Sequence, residues 1–202
     1  MRILVVYESR CGATQGIAER IAEILRDRGL QATVQPAHSA DDPARYDAVV
    51  IGSAAYYFHW MKRALEYVRR HHDVLANRPV WLFSSGPLGR EAIDAQGRDV
   101  RDMTIPKDIA EFQKTINPRD HRVFFGAMDH SKLPFPHRLV LKLPVNRDNA
   151  IFPEGDFRDW HDIEKWAGSI ADSLNVSADN GLHQAHQPEV LAVAAMPTHD
   201  KP

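Results

Sequence analysis

The sequence lacks the features of disulfide-bonded, zinc-binding and membrane-spanning proteins. Its single cysteine, Cys11, excludes an intramolecular disulfide, and no cysteine–histidine cluster has the spacing of a zinc site. No segment approaches the roughly 20 apolar residues of a transmembrane helix. The apolar run Ile3–Val6 is too short for a signal-peptide core. We therefore predict a cytoplasmic protein without a metal site, at most peripheral to the inner face of the cell membrane.

The net charge and the absence of two phosphate-binding motifs argue against further classes of ligand. The 27 acidic and 25 basic residues leave a net charge of -2, which gives no electrostatic reason to expect a nucleic acid partner. Neither G-x-x-x-x-G-K-[ST] nor G-x-G-x-x-G occurs, so nucleoside triphosphates and dinucleotides are disfavoured. A chain of 202 residues, 44% hydrophobic, is large enough for one domain with a full core.

Short apolar runs alternate with helical patterns, most clearly at Ile17–Leu25, where apolar residues recur on one helix face. Buried strands that alternate with helices indicate an α/β fold with a parallel sheet. Right-handed crossovers and five strands predict a doubly wound parallel sheet of order 2-1-3-4-5, with helices on both faces. The predicted strands are Ile3–Tyr7, Gln31–Gln35, Asp47–Gly52, Pro79–Ser85 and Arg122–Ala127.

One domain, residues 1–175, accounts for all of these elements. Residues 128–156 interrupt it as an insertion between the fifth strand and the last helix, for which Asp159 is the predicted N-cap. Residues 176–202 lose periodicity and are predicted to form a disordered C-terminal tail.

The loop after the first strand has the composition of a phosphate site. It supplies hydroxyls, a glycine and backbone N–H groups directly before a helix N-terminus, whose positive end attracts a phosphate dianion. The glycine permits a left-handed turn and close approach. An ordinary strand-to-helix turn with Ser and Thr caps is the competing interpretation of this loop alone. The predicted phosphate-binding residues are Ser9, Arg10, Cys11, Gly12, Ala13 and Thr14.

Two further loops reach the same edge of the sheet, because the carboxyl ends of parallel strands lie together. Both loops carry small polar residues, a glycine or aromatic residues. The first consists of Ser53, Ala54, Ala55, Tyr56 and Tyr57, and the second of Ser84, Ser85, Gly86, Pro87 and Leu88.

Residues Val5–Thr14 resemble the flavodoxin phosphate loop, whose pattern is roughly [ST]-x-[ST]-G-x-T. Ser9, Gly12 and Thr14 match, whereas Cys11 stands at the second hydroxyl position and removes one phosphate hydrogen bond. The resemblance implies FMN as the cofactor, with the flavin ring between these two loops, which we call the ring-binding loops. Tyr56 or Tyr57 would then stack on the ring, and backbone groups of Ser85–Leu88 would meet its polar edge. Cys11 is predicted to be a bystander, because no basic partner for a reactive thiol is identifiable.

The whole of 1–175 is similar to the menaquinone-dependent protoporphyrinogen IX dehydrogenase family of flavodoxin-like proteins. The resemblance lies in the phosphate loop, Asp47–Ala54, Phe125–Met128, Asp159–Trp160 and an insertion at 128–156. It implies a flavoprotein oxidoreductase of haem biosynthesis that transfers electrons from protoporphyrinogen to a quinone.

Within the insertion, the basic and apolar stretch Arg138–Leu143 can rest on a membrane surface, or the segment can pack over the sheet edge. Arg63 or Arg138 can meet porphyrin propionates. No general base is required and no catalytic residue is identified. The oligomeric state stays open.

Two other functions stay open. A flavodoxin-type electron carrier would have no substrate of its own, but such carriers are usually strongly acidic. This chain is nearly neutral, and Lys62, Arg63, Arg69 and Arg70 lie near the predicted rim. The third alternative is an interaction module that has kept the fold and lost the flavin.

Overall fold

The computed structural model of the protein describes residues 1–89, 91–132 and 153–184, with backbone alone from residue 176. The chain divides into a compact unit, residues 1–171, and a second unit from residue 172 onwards. The middle of the predicted insertion, 133–152, and residues 185–202 lie outside the described residues. Residues 176–184, predicted as part of a disordered tail, instead continue the last helix.

Eight strands and six helices form the described fold. The strands are β1 (Arg2–Glu8), β2 (Gln31–Pro36), β3 (Ala48–Tyr56), β4 (His59–Trp60), β5 (Val80–Ser85), β6 (Asp120–Phe124), β7 (Ala127–Met128) and β8 (Gly155–Asp156). The helices are α1 (Ala13–Asp27), α2 (Lys62–Arg70), α3 (His72–Ala76), α4 (Val100–Met103), α5 (Asp108–Thr115) and α6 (Trp160–Gln184).

The main sheet has the strand order β2-β1-β3-β5-β6, and all four of these pairings are parallel. Counting only these five strands along the chain gives 2-1-3-4-5, so the predicted doubly wound order is confirmed. Strand β1 pairs with β2 on one side and β3 on the other; Ile3, for example, lies opposite both Ala32 and Ala48. The order reverses between β1 and β3, which is where such sheets bind ligands.

Helices cover both faces of the sheet because each central strand is apolar on both sides. Helices α2, α3 and α5 pack on one face, in a core that joins Phe112 to Val49, Ile51 and Leu82. Helix α1 packs against β1, β2 and β3. In α6, the Trp166 ring meets the Phe124 ring nearly edge-on at 5.6 Å between centroids. The predicted N-cap of α6 is confirmed, since the Asp162 N–H donates to Asp159 Oδ1 at 3.0 Å.

Gly52 and Phe83 lie opposite each other on β3 and β5. A Cβ atom at Gly52 would fall 2.0 Å from the Phe83 ring. The absence of a side chain at Gly52 therefore lets the aromatic ring lie directly on the strand, in the fully buried centre of the sheet.

Strand β3 is longer than predicted. The sequence indicated a strand that ends at Gly52, but β3 continues to Tyr56 and folds back through Tyr57 and Phe58 into the antiparallel β4. Part of the first predicted ring-binding loop is therefore strand. The small side chains at positions 53–55 hid this extension, because they carry no alternation of apolar and polar residues.

Candidate functional site

The phosphate loop lies where the sequence placed it, between β1 and α1 at the carboxyl edge of the sheet. Gly12 is the N-cap residue of α1 with φ +89°, a left-handed conformation that glycine adopts without steric cost. Among the residues that the structure describes, no side chain caps this helix or accepts from its first-turn N–H groups. Those donors and the helix dipole make the site suited to a phosphate.

Hydroxyl groups on both sides of Gly12 complete the loop. Ser9 Oγ accepts a hydrogen bond from the Gly12 N–H at 3.0 Å and holds the turn. The Thr14 hydroxyl is buried and lies 2.9 Å from Ser85 Oγ, which ties the phosphate loop to the second ring-binding loop. Two of the three predicted loops are thus joined by one side-chain hydrogen bond across the switch point.

Arg10 and Cys11 occupy the outer side of the loop. The Arg10 guanidinium lies over the ring of Tyr56, 4.8 Å from its centroid, in a cation–π contact. Burial raises the pKa of the Cys11 thiol, an effect that Arg10 opposes. The thiolate is the reactive form of cysteine, so burial disfavours the nucleophilic state of Cys11.

The hydroxyls of two predicted ring-binding serines are used within the protein. Ser53 Oγ donates to the Ala54 carbonyl and accepts from the Met61 N–H at 3.0 Å. Ser84 Oγ accepts from the Trp60 indole N–H at 2.7 Å and lies 2.8 Å from His121 Nε2. Both serines are fully buried. They form the floor of the site and do not offer free hydroxyls to a ligand.

Backbone groups of the second ring-binding loop are also partly used in hydrogen bonds within the protein. The Gly86 N–H donates to the Phe124 carbonyl, and the Pro87 carbonyl accepts from the Gly126 N–H at 2.9 Å. Leu88 lies beside Gly126. These contacts fix the loop against the end of β6 and leave fewer backbone groups for a flavin edge than the sequence suggested.

The turn between β3 and β4 displays two aromatic side chains. Tyr57 has φ +52° and Phe58 has φ +65°, a left-handed pair that the two-residue hairpin requires and that bulky residues rarely adopt. Tyr57 is 92% exposed and Phe58 is 49% exposed. By contrast, Tyr56 is half-buried beneath Arg10, and burial raises the pKa of its hydroxyl.

Several residues that support this site carried no sequence signal. Asp108, at the start of α5, accepts from the Trp60 N–H at 2.8 Å and lies 3.2 Å from His59 Nδ1, and so fixes β4 from 48 residues away. Glu8 is buried at the end of β1, where burial raises its pKa against the opposing effect of Arg63 at 4.0 Å. These contacts join residues that are far apart in the sequence, so no local pattern indicates them.

His121 is another supporting residue that the sequence did not single out. The Trp60 indole can only donate to Ser84, so the Ser84 hydroxyl is free to donate to His121 Nε2. Burial lowers the pKa of His121 to about 4. A neutral His121 therefore ends a buried hydrogen-bonded chain beneath the second ring-binding loop.

A separate cavity of about 180 Å³ lies beside the edge strand β6. None of its lining residues belongs to the three predicted loops, and its arginines are already paired with aspartates. The lining residues are Asp99, Arg101, Asp102, Ile105, His121, Arg122 and Val123.

In the described part of the chain, no group of three or more histidine, cysteine or acidic residues is arranged to hold a metal ion. Within the same residues, no helix is both long and apolar enough to cross a membrane.

A helix N-terminus suited to a phosphate at the switch point of a 2-1-3-4-5 sheet places this chain among the doubly wound α/β proteins that bind phosphate-bearing ligands. Residues 4–150 match the family model described as "Flavodoxin domain", and the chain belongs to that family. Its cofactor is FMN, as the resemblance of Val5–Thr14 to the flavodoxin phosphate loop implied.

Among curated relatives, the protein named protoporphyrinogen IX dehydrogenase [quinone] from Escherichia coli K12 is 26% identical over 178 residues. The match covers 85% of this chain and 95% of the relative. Among solved structures, an archaeal flavodoxin superposes with a TM-score of 0.52 at 15% identity. A cysteine-to-serine mutant of flavodoxin from Pseudomonas aeruginosa gives 0.54 at 15% identity. Both structural matches cover 87% of this chain and 99% of the other.

Proposed function

We propose that this flavoprotein oxidoreductase oxidises protoporphyrinogen IX and passes the electrons to a quinone. The observation that carries the proposal is the similarity to a protein of that name across 85% of this chain and 95% of the relative. The near-neutral net charge of -2 supports it, because a carrier that docks on basic partners benefits from a strongly acidic surface.

The phosphate of FMN would lie at the N-terminus of α1. Ser85 can donate to Thr14 Oγ1, which leaves the Thr14 hydroxyl free to donate to a phosphate oxygen. The three side chains Ser9, Thr14 and Ser85 then act together, with Ser9 holding the turn. When bound, FMN supplies the electron and hydride transfer, while the protein binds and orients the reactants.

Of the two tyrosines that the sequence left as equal candidates, Tyr57 is the better partner for the flavin ring. Its side chain is 92% exposed at the carboxyl edge of the sheet. Tyr56 already has its ring covered by the Arg10 guanidinium, which makes it part of the wall under the phosphate loop. Stacking on Tyr57 would favour a planar ring through aromatic contact.

An electron carrier without its own substrate is the second candidate, and the fold shared with flavodoxins favours it. The decisive experiment compares substrate turnover. FMN-loaded protein is mixed anaerobically with protoporphyrinogen IX and a menaquinone analogue, and porphyrin formation is followed by fluorescence. Quinone-dependent turnover is expected. Its absence, with flavin that chemical reductant still reduces, would contradict the proposal and favour the carrier.

Flavin content must be measured first. FMN should be released on denaturation and be seen in the absorbance spectrum. A colourless protein that takes up no added FMN would contradict both candidates. It would favour the third alternative, an interaction module that has kept the fold and lost the flavin. The predicted membrane contact through 128–156 remains a separate proposal, as does any contact of Arg138 with propionates; residues 133–152 lie outside the described residues.

A further inference from the structure

Two half-exposed apolar side chains lie on segments that the backbone brings together: Phe58 directly follows Tyr57 in the turn, and Ile105, which also lines the cavity beside β6, precedes α5. Phe58 is 49% exposed and Ile105 is 44% exposed. The Lys107 N–H donates to the Phe58 carbonyl at 2.9 Å, which brings the segment before α5 against the β3–β4 turn. We refer to Phe58, Ile105 and Lys107 together as the Phe58 surface.

The turn that presents this surface is strained and firmly held. Positive φ is strained for a bulky residue, and Tyr57 and Phe58 both have this conformation. Three hydrogen bonds from Lys107 and Asp108 hold the turn and the strand that follows it. Asp108 fixes the backbone of Trp60 and the ring of His59, and Lys107 fixes the Phe58 carbonyl. The aromatic side chains are therefore displayed from a rigid support.

The charge beside this surface is positive and available. Lys107 is exposed and forms no ion pair with any described residue. The adjacent acid, Asp108, is buried and already accepts hydrogen bonds from the turn. An apolar patch with one available ammonium group complements an apolar ring that carries a carboxylate.

We infer that the Phe58 surface binds the electron-donating substrate, a large apolar ring system with carboxylate side chains, and that Lys107 selects for the carboxylate. The inference rests on the proposed function, because it takes the porphyrinogen class as the substrate. It assigns the second reactant to a surface next to the flavin stacking position at Tyr57. Phe58 and Ile105 supply apolar contact, and Lys107 supplies the charge.

The test separates charge recognition from apolar contact. FMN-loaded protein is titrated with protoporphyrin IX and, in the same detergent, with its dimethyl ester, which has no carboxylate; porphyrin fluorescence reports binding. Lys107→Gln should weaken binding of the diacid about threefold or more and leave the diester unchanged. Lys114→Gln, at the other end of α5, removes the same charge from an exposed position and is the matched control.

Phe58→Asn removes the apolar side chain but suits the left-handed backbone of the turn. It should weaken both porphyrins about tenfold and leave the dissociation constant for FMN unchanged. Ile93→Asn, at another half-exposed apolar residue, is its control and should change neither value.

If wild-type protein turns over protoporphyrinogen but both variants bind porphyrin as wild type does, the surface inference is wrong and the proposed function stands. Variant-sensitive binding without turnover would support the surface and contradict the oxidation. Failure of wild-type protein to bind either porphyrin would overturn the inference.

Discussion

The hydrogen bond between Thr14 and Ser85 allows a quantitative test of how the site is assembled. The two oxygens are 2.9 Å apart and buried, with Ser85 only 3% exposed. Replacing Thr14 by the isosteric valine leaves the Ser85 hydroxyl buried without this partner, which costs about 1–3 kcal/mol. Ser85→Ala leaves Thr14 in the same state. The double variant removes both polar groups and should cost less than the two single variants added together.

The assay is a double-mutant cycle on the protein without flavin, in which urea unfolding gives the free energy of unfolding for all four forms. We expect a coupling of about 1 kcal/mol or more. Thr115→Val is the matched control, since that exposed hydroxyl donates only within α5 and its loss should cost less than about 0.5 kcal/mol. Purely additive single effects would refute the proposed link between the loops.

Binding of FMN provides the second measurement on the same variants. Thr14→Val should raise the dissociation constant about tenfold, because it removes a donor to the phosphate as well as the link to the ring-binding loop. Riboflavin, which lacks the phosphate, separates these two losses: its affinity should fall only through the lost link. An equal fall for both ligands would show that Thr14 does not act on the phosphate.

Three further predictions follow from buried groups. Burial raises the pKa of Glu8, so the folded state binds the carboxyl proton more tightly than the unfolded state does. Wild type should therefore lose stability relative to Glu8→Gln as pH rises through the raised pKa. A pH-independent difference between their free energies of unfolding in urea would contradict this. His121, whose pKa is lowered to about 4, should act in the opposite direction: wild type should lose stability relative to His121→Gln as pH falls from the ordinary pKa of 6.5 towards 4, and parallel melting-temperature profiles would argue against a buried neutral ring. Gly52→Ala places a methyl group 2.0 Å from the Phe83 ring and should cost about 3 kcal/mol or more, with partial recovery in the Gly52→Ala/Phe83→Leu double variant; failure of the smaller side chain to restore any stability would contradict the clash.

Local patterns were sufficient for the sheet and the phosphate loop. Each central strand is a short apolar run, and chain order with right-handed crossovers fixes the neighbours of β1 and β3. Ser9, Gly12 and Thr14 act within a few residues of one another, so their spacing alone indicated a turn before a helix. Properties set by adjacent residues were thus predictable.

Features set by distant residues were not. The Tyr57–Phe58 turn lacks the Asn-Gly or Asp-Gly pair that usually marks a two-residue hairpin. Contacts with Lys107 and Asp108, which are distant in sequence, hold the turn in place instead. Thr14 and Ser85 are 71 residues apart, and no periodicity in either segment indicates that they meet. Ser84 is a further example: no local pattern indicates that its hydroxyl is hydrogen-bonded to Trp60 and His121 on other strands.

Strands β7 and β8 give the insertion a closed base. Ala127 pairs with Asp156 and Met128 with Gly155, so the two ends of the segment between them are already side by side. The entropy cost of closing a loop grows only slowly with its length. Here the pairing of β7 with β8 holds the two ends of the loop together. A change in the length of this segment should therefore leave the main sheet unchanged.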